Sequence, residues 1–199
     1  NSQTPKKTLV TGGAGFIGLN LAETILRRGE HVVIYDPGAV PGAAQRTFDG
    51  LPGSWCHIQE SVIDSGALAS TLTEQRIEQV FYGAAVTSGP ERERDTPENV
   101  LSINLVGLAT VAKLAAKAGI RRLINLSSAS AYGLPDGDES DWPPTLHEEH
   151  TRERPVSLYA LSKFATEITT RRIAALTGLD ALSVRLSSIF GPWERDTGF

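Results

Sequence analysis

The chain contains no methionine and only one cysteine, Cys56, among its 199 residues. A single cysteine excludes a disulfide within the chain, and this composition is typical of the reducing cytoplasm, where we expect the protein to reside. We expect Cys56 to be a small buried apolar residue on a strand rather than a nucleophile. Residues 1–7 are polar and give no sign of a signal peptide. Because methionine is lacking, we also expect the sequence to be without its initiator residue.

An excess of positive charge and a long apolar run are also missing. The formal net charge is -4, so no basic surface for nucleic acid or an anionic membrane is expected. We see no apolar run approaching the roughly 20 residues that span a bilayer, and therefore expect no membrane-spanning segment. With 40% hydrophobic residues, residues 1–199 are predicted to form one soluble domain with a substantial core.

Short apolar segments alternate with longer amphipathic ones, which indicates a parallel α/β sheet covered by helices on both faces. The predicted strands are residues 7–11, 31–35, 55–59, 79–83, 122–126 and 181–186, and the predicted helices are residues 16–28, 64–75, 97–118 and 157–176. Residues 37–53, 91–95 and 134–155 are predicted loops. In such a doubly wound sheet, ligands bind outside the carboxyl ends of the strands.

The motif TGGAGFIG, residues 11–18, lies between the first predicted strand and the first predicted helix. Glycines at 12, 15 and 18 allow a tight turn, a close approach of backbone amides to a pyrophosphate, and close packing of helix on strand. A plain glycine-rich loop is the alternative. The position between a strand and a helix favours a dinucleotide site.

Asp36 follows the second strand, 24 positions after Gly12. A carboxylate at this place accepts hydrogen bonds from the adenosine ribose hydroxyls and repels a 2′-phosphate, so the sequence favours NAD over NADP. The alternative role for Asp36 is to cap the loop that follows. Arg46 is the residue that could meet a 2′-phosphate, but it lies well inside the predicted loop.

Tyr159 and Lys163 are four residues apart on one predicted helix, so they share a face. Beside a nicotinamide, the ammonium and the ring charge would lower the pKa of the phenol toward that of a working acid/base. Ser128, at the end of the fifth strand, could hydrogen-bond the same substrate oxygen. Together these three residues predict a proton-transfer site for interconverting an alcohol and a carbonyl.

Two polar runs carry a competing interpretation. Residues 147–150, His-Glu-Glu-His, could suggest a metal site, but no third ligand is suitably spaced, so we expect a solvated loop and no metal. Residues 91–95, Glu-Arg-Glu-Arg-Asp, are likewise expected to be a solvated loop. His31 and His57 fall on predicted strands and are expected to be packing residues.

The ordered motifs resemble those of the extended short-chain dehydrogenases/reductases, in particular the NAD-dependent epimerase/dehydratase family that includes UDP-glucose 4-epimerase. The resemblance runs from the glycine motif through NLVG (104–107), SSASAYG (127–133) and YALSK (159–163) to RLSSIFGP (185–192). It implies a Rossmann-type NAD-binding domain over residues 1–199. It also implies a smaller C-terminal substrate domain, which the sequence up to Phe199 does not contain.

The resemblance assigns roles residue by residue. Tyr159 is the implied acid/base, Lys163 also binds the nicotinamide ribose, and Ser128 is the catalytic serine, four residues before Tyr132. The implied cofactor contacts are Gly12, Gly15, Phe16, Ile17, Asp36, Ser61, Val62, Ala84, Ala85, Thr87, Asn104, Tyr159, Lys163 and Ser188. The implied substrate contacts are Thr87, Ser128 and Ser130. Packing or turn roles are the alternatives, and for Thr87, Asn104 and Ser130 the two are evenly balanced.

Three departures from the family pattern bear on function. Ser61-Val62 stands where an acid often precedes valine, and Ser188 stands where asparagine is usual. Ala129-Ser130 replaces the Asp-Glu of the dehydratases, which disfavours dehydration. The leading hypothesis is an NAD-dependent epimerase of a sugar or nucleotide sugar that works as a homodimer. A net dehydrogenase or reductase is the second hypothesis, and a non-catalytic NAD-binding regulator is the third.

Overall fold

A computed structural model describes residues 6–87, 89–133, 146–148 and 156–194. Six parallel strands form one sheet in the order β3-β2-β1-β4-β5-β6. The strands are β1 (Lys7–Thr11), β2 (His31–Tyr35), β3 (Ser54–Ile58), β4 (Gln79–Tyr82), β5 (Arg122–Ser128) and β6 (Ala181–Leu186). The strand order changes direction between β1 and β4, so the carboxyl ends of these strands open a crevice there. The predicted doubly wound sheet is confirmed.

Helices cover both faces of the sheet. They are α1 (Phe16–Arg27), α2 (Gly42–Asp49), α3 (Ser65–Glu74), α4 (Pro90–Asp95), α5 (Pro97–Leu101), α6 (Leu108–Lys117) and α7 (Leu158–Thr177). Neighbouring strand residues point to opposite faces. Val10 accordingly packs in the core under α1 and α2, whereas Leu9 packs in the core under α3, α6 and α7.

The helix ends follow local sequence signals. Asp64 caps α3 by accepting hydrogen bonds from the amides of Gly66 and Ala67, both at 2.9 Å, as the sequence predicted. Ser157 caps α7 by accepting from the amide of Ala160 at 3.0 Å. Gly178, with a φ of +75°, ends α7 in the left-handed conformation that glycine adopts at least cost.

Two segments predicted as loops contain helices, and the prediction was wrong there. Within residues 37–53, α2 forms because Ala44 and Phe48, four residues apart, pack into the core beneath α1. Residues 91–95 belong to α4, which begins at Pro90, a residue suited to the first helical turn. Most of the predicted surface segment 134–155 lies outside the described residues. Its described part, residues 146–148, is exposed.

The helical stretch Pro97–Lys117 is long and apolar enough to cross a membrane by length and composition alone. The expectation that no such run exists was therefore wrong. In the fold this stretch packs against the sheet, and its buried residues include Val100, Leu108, Val111 and Ala115. The core of the domain thus accounts for part of its apolar character, since 39% of its most apolar window is buried.

Candidate functional site

The glycine turn between β1 and α1 has no room for side chains. Gly12 has a φ of +66°, and a Cβ on it would lie 2.7 Å from the carbonyl oxygen of Gly83. A Cβ on Gly18 would collide with the carbonyl oxygen of Gly12. The turn is therefore shaped by close backbone contacts that any larger residue would disrupt.

The backbone amides of Gly12 and Gly15 form hydrogen bonds inside the protein. Gly12 donates to the carbonyl of Tyr35 at 3.0 Å, and Gly15 donates to the carbonyl of Gly12 at 3.1 Å. The first turn of α1, at Phe16 and Ile17, supplies amides that a helix does not pair internally. These amides and the positive end of the helix dipole are the part of the turn suited to a pyrophosphate.

Asp36 lies directly beside this turn, at the carboxyl end of β2. Its Oδ2 accepts from the amide of Ala14 at 3.1 Å, and its Oδ1 accepts from the amide of Gly38 at 2.7 Å. The carboxylate therefore caps its loop, and it also holds a fixed position next to the anion site. A carboxylate oxygen accepts more than one hydrogen bond, so both oxygens retain the capacity to bind ribose hydroxyls.

Ser61 and Val62 lie beyond β3 and differ in how they face solvent. Ser61 is half-buried, and its carbonyl accepts from the hydroxyl of Tyr35 at 3.4 Å. Val62 is 4% exposed and its side chain packs in the core. Because the Val62 side chain is buried, the cofactor contact predicted for Val62 is limited to its backbone atoms.

The loop after β4 carries Ala84, Ala85 and Thr87 at the edge of the crevice. Ala84 is 8% exposed, whereas Ala85 and Thr87 are exposed. Thr87 accepts through its carbonyl from Arg92 at 2.7 Å, which ties the loop to α4. Its exposure leaves Thr87 accessible to a ligand.

Asn104 holds that loop from behind. It is fully buried, its Oδ1 accepts from the amide of Val86 at 2.7 Å, and its Nδ2 donates to the carbonyl of Val86 at 3.2 Å. The same Nδ2 donates to the hydroxyl of Ser162 on α7 at 2.9 Å. Asn104 therefore supports the loop after β4, and direct contact with a ligand stays a prediction.

A π-helical segment, Ser102–Gly107, joins α5 to α6 and turns Asn104 inward. The hydroxyl of Tyr82 donates to the carbonyl of Ile103 at 2.5 Å within this segment. A Cβ on Gly107 would lie 2.6 Å from that hydroxyl. Tyr82 thus stabilises the π-helical segment, and the missing side chain of Gly107 leaves room for the Tyr82 hydroxyl.

Ser128, Tyr159 and Lys163 come together where β5 meets α7. The Ser128 hydroxyl lies beside the Tyr159 phenol, close enough to affect its pKa. The Lys163 ammonium lies 5.7 Å from the centroid of the Tyr159 ring and donates to the carbonyl of Leu126 at 2.7 Å. The three side chains predicted to carry proton transfer therefore form one cluster at the carboxyl edge of the sheet.

Burial dominates the electrostatics of this cluster. It lowers the pKa of Lys163 to about 8, because the charged ammonium loses its hydration. It raises the pKa of Tyr159, and the neighbouring Ser128 hydroxyl opposes that rise. The predicted lowering of the Tyr159 pKa is not supplied by the chain's own groups, since the cost of burying a phenolate exceeds the help from Ser128.

Ser130 and Ser188 lie at the open side of the cluster. The hydroxyl of Ser128 donates to that of Ser130 at 3.1 Å, and Ser130 is exposed. Ser188 is exposed just beyond β6 and has a φ of +45°, in the left-handed region that serine rarely adopts. Both hydroxyls are accessible to a ligand at this edge.

Sequence reasoning missed three charged residues around the cluster. Glu93 on α4 accepts from the amide of Leu158 at 2.9 Å and so caps the helix that carries Tyr159. Glu167 and Arg185 form a buried ion pair with an N–O distance of 2.7 Å. A signal for Glu167 was available, because an acid four residues after Lys163 falls on the same helix face.

Residues 147–150 were predicted to be a solvated loop without a metal site. His147 and Glu148 are exposed, and Glu149 and His150 lie outside the described residues. Within the part of the chain that the structure describes, no group of three or more His, Cys, Asp or Glu side chains could hold a metal ion. Cys56 is half-buried on β3, and burial raises the pKa of its thiol.

Comparison with known proteins places this geometry in context. Residues 8–199 match the family model described as the NAD dependent epimerase/dehydratase family. The chain is 31% identical over 193 residues to a UDP-glucose 4-epimerase of Mycolicibacterium smegmatis, covering 96% of this chain and 59% of that protein. It is 28% identical over 191 residues to UDP-glucuronate 4-epimerase 6 of Arabidopsis thaliana, covering 94% and 40% respectively. The chain thus spans about half the length of these relatives.

Solved structures give the same picture. The UDP-glucose 4-epimerase of Thermotoga maritima, determined with UDP-glucose, superposes with a TM-score of 0.81 at 26% identity, covering 96% of this chain and 59% of that one. The UDP-glucose 4-epimerase of Thermus thermophilus in complex with NAD gives 0.78 at 29% identity, covering 96% and 58%.

Proposed function

The chain belongs to the NAD-dependent epimerase/dehydratase family, and from that premise we propose that it is the NAD-binding part of an epimerase acting on a sugar or nucleotide sugar. The observation that carries the proposal is the cluster of Ser128, Tyr159 and Lys163. It lies at the same edge of the sheet as the glycine turn, so one extended cofactor can reach from the turn to the cluster.

The residues present fit NAD. The side-chain-free turn and the first-turn amides of α1 suit the pyrophosphate. Asp36 suits the two ribose hydroxyls and would repel the 2′-phosphate of NADP. When bound, NAD supplies reversible hydride transfer, which the chain's own side chains cannot perform.

The cluster supplies the proton transfer. Tyr159 takes the proton of the substrate hydroxyl at its Oη and later returns it, while Ser128 holds the substrate oxygen. With NAD bound, the Lys163 ammonium, 5.7 Å from the ring centroid, would hold the nicotinamide ribose, and together with the nicotinamide charge it would favour the phenolate that burial disfavours. Thr87 and Ser130, exposed at the mouth, contact the substrate.

Nucleotide sugars are the proposed substrates, because relatives that match most of this chain are named for UDP-glucose and UDP-glucuronate. Epimerisation is favoured over dehydration since Ala129 and Ser130 follow Ser128. Neither side chain can act as the acid that expels water. About two-fifths of the length of the first relative and three-fifths of the second lie outside the match, and we place most of the substrate contacts in that part.

We also propose a homodimer built on two helices from each subunit. Exposed apolar side chains lie on α7, at Leu161, Ile168 and Leu176, and on the π-helical segment at Val106. Val106 is 53% exposed and Leu176 is 65% exposed. Burying these side chains against a second copy would give a C2 interface of four helices.

The test is turnover of UDP-glucose, UDP-galactose and UDP-glucuronate by the protein in the presence of NAD. We expect interconversion of the epimers without net formation of NADH. Tyr159→Phe should abolish it while leaving NAD affinity nearly unchanged, because the substitution removes only the hydroxyl. Stoichiometric NADH would indicate a net dehydrogenase instead. In an assay of the protein together with its substrate-binding part, NAD binding without turnover of any sugar on the panel would contradict an epimerase.

A further inference from the structure

One face of α7 is bonded to three consecutive residues at the end of β5. Thr166 accepts from Asn125 Nδ2 at 3.1 Å, and Lys163 donates to the Leu126 carbonyl at 2.7 Å. Glu167 accepts from the hydroxyl of Ser127 at 2.6 Å. Ser128 is the next residue of β5, and its hydroxyl lies beside Tyr159 of the same helix. The reactive pair is therefore adjacent to a row of bonds between one helix and one strand.

Glu167 has an unusual place in this row, because its carboxylate is buried. The side chain of Glu167 is 9% exposed and that of Arg185 is 8% exposed. Arg185 donates through Nε to Oε1 at 2.8 Å and through Nη2 to Oε2 at 2.7 Å, a two-point clamp from β6. A clamped carboxylate is a rigid acceptor, so the position of the Ser127 hydroxyl is fixed with it.

The clamp also reaches the short 3₁₀ helix Ala129–Tyr132 that follows Ser128. The Arg185 guanidinium lies 4.2 Å from the centroid of the Tyr132 ring. Cation–π contacts of this kind hold an aromatic ring in place. Ser128 is thus held on both sides, through Ser127 before it and through Tyr132 after it.

Resting on the proposed function, we propose that Glu167, clamped by Arg185, is a positioning residue that fixes Ser128 against Tyr159 through the hydroxyl of Ser127. It touches neither cofactor nor substrate. Its effect on the reaction comes only from the distance that it sets between β5 and α7. It has no direct part in substrate binding or hydride transfer.

The four tyrosines of the chain allow a test that needs no NAD and no substrate. Tyr159 reports the contact with Ser128, and Tyr132 reports the Arg185 clamp. Tyr35 and Tyr82 are buried in the core and report the fold. Protein labelled with ¹³C at the tyrosine ζ-carbon gives one resonance for each, assigned by single Tyr→Phe variants. Failure of the proposed epimerase activity would leave this measurement intact.

Ser128→Ala sets the scale, because it removes the hydroxyl that lies beside Tyr159. We expect Ser127→Ala to move the Tyr159 resonance in the same direction and by at least about half as much, since the bond from Ser127 to Glu167 holds the next residue, Ser128, in place. The resonances of Tyr132, Tyr35 and Tyr82 should not shift. Ser127→Thr, which keeps the hydroxyl, should leave the Tyr159 resonance at its native position. Glu167→Gln should shift the resonances of both Tyr159 and Tyr132.

The matched control is Ser183→Ala on β6. Ser183 accepts from Asn125 Nδ2 at 3.1 Å in the same region but makes no bond in the row from Ser127 to Glu167. It should leave Tyr159 unmoved. The proposal is overturned if Ser127→Ala leaves Tyr159 in place, if Ser128→Ala does so, or if all four resonances move together. Should Ser127→Ala not fold, Glu167→Gln decides, and an unmoved Tyr159 there overturns the proposal.

Discussion

The glycine turn and the Ser128–Tyr159–Lys163 cluster lie at the same edge of the sheet but are built by different means. At the turn, backbone atoms of neighbouring residues pack so closely that no Cβ fits at Gly12 or Gly18. At the cluster, side chains from β5, β6, α7 and the π-helical segment hold one another. The first region depends on the absence of side chains and the second on their charges and hydrogen bonds, so the two should fail in different ways.

The largest effect should come from breaking the charge pair beneath the cluster. Arg185→Leu leaves the buried Glu167 carboxylate without its clamp, and we expect the free energy of unfolding to fall by about 3–5 kcal/mol. Urea denaturation measures this change. In the control, Arg122→Leu removes an exposed pair with Asp180, and about 1 kcal/mol or less should be lost.

A double variant separates the charge from the packing at this site. Replacing both Glu167 and Arg185 by leucine should recover most of the stability lost in Arg185→Leu, because no unpaired buried charge remains. Equal losses for Arg185→Leu and Arg122→Leu would show that the cluster does not depend on charge as described.

The second prediction tests the glycine turn through two glycines of similar conformation. Gly12 has a φ of +66° and Gly29 a φ of +73°, but a Cβ meets Gly83 at 2.7 Å in the first case and nothing within 4 Å in the second. Gly29→Ala should cost about 1–2 kcal/mol for the left-handed conformation alone. Gly12→Ala should cost about 1–3 kcal/mol more for the forced contact.

Urea denaturation gives the two stabilities, and titration with NAD gives the affinities. Gly12→Ala should also abolish NAD binding, since the turn must shift, whereas Gly29→Ala should bind NAD normally. If the two variants lose the same stability and both retain NAD, close backbone contact is not what shapes the turn.

The third prediction concerns the ionisation of Lys163. Its pKa is about 8 in the folded protein, because of burial, and about 10.4 in the unfolded chain. Between these values the unfolded state binds more protons than the folded state, so stability rises with pH. Below pH 8 the lysine is charged in both states and its burial is a constant cost.

We therefore compare the native protein with Lys163→Met by urea denaturation from pH 7 to pH 10. Other titrating groups cancel in the difference between the two proteins. From pH 8 to pH 10, the native protein should gain about 2 kcal/mol relative to the variant. A difference that stays flat, or that falls with pH, would show that the ammonium is not held in a dehydrated place.

How much the sequence could predict differs between the two regions for a physical reason. The glycine turn lies within eight consecutive residues, so its motif predicted the turn itself, although not the close approach of Gly83 to Gly12. The cluster was predicted only in part, because Tyr159 and Lys163 share a helix whereas Glu167 and Arg185 are 18 residues apart in sequence. Their pairing depends on α7 packing beside β6, which no local pattern encodes.

The missed helices and the π-helical segment have the same origin. Proline, glycine and alanine around α2 obscured the spacing of Ala44 and Phe48, and only the core beneath α1 makes that spacing helical. The widened turn around Asn104 depends on Tyr82, which is on a different strand. By contrast, the bounds of β6 were predicted correctly, since alternating side chains follow local sequence.

The prediction with the smallest expected effect asks whether backbone conformation also shapes the site near the Ser128–Tyr159–Lys163 cluster, at Ser188. Ser188 has a φ of +45°, which costs a residue with a Cβ about 1–2 kcal/mol. Asparagine tolerates this region better because its side chain hydrogen-bonds locally, and the family pattern usually has asparagine here. Ser188→Asn should therefore raise the free energy of unfolding by about 0.5–1 kcal/mol, and Ser188→Ala, which keeps the Cβ and gains no local bond, should leave it nearly unchanged. Urea denaturation of both variants measures these changes. Equal stabilities would mean that the surroundings relieve the strain at Ser188. In that case side chains alone would shape this end of the site.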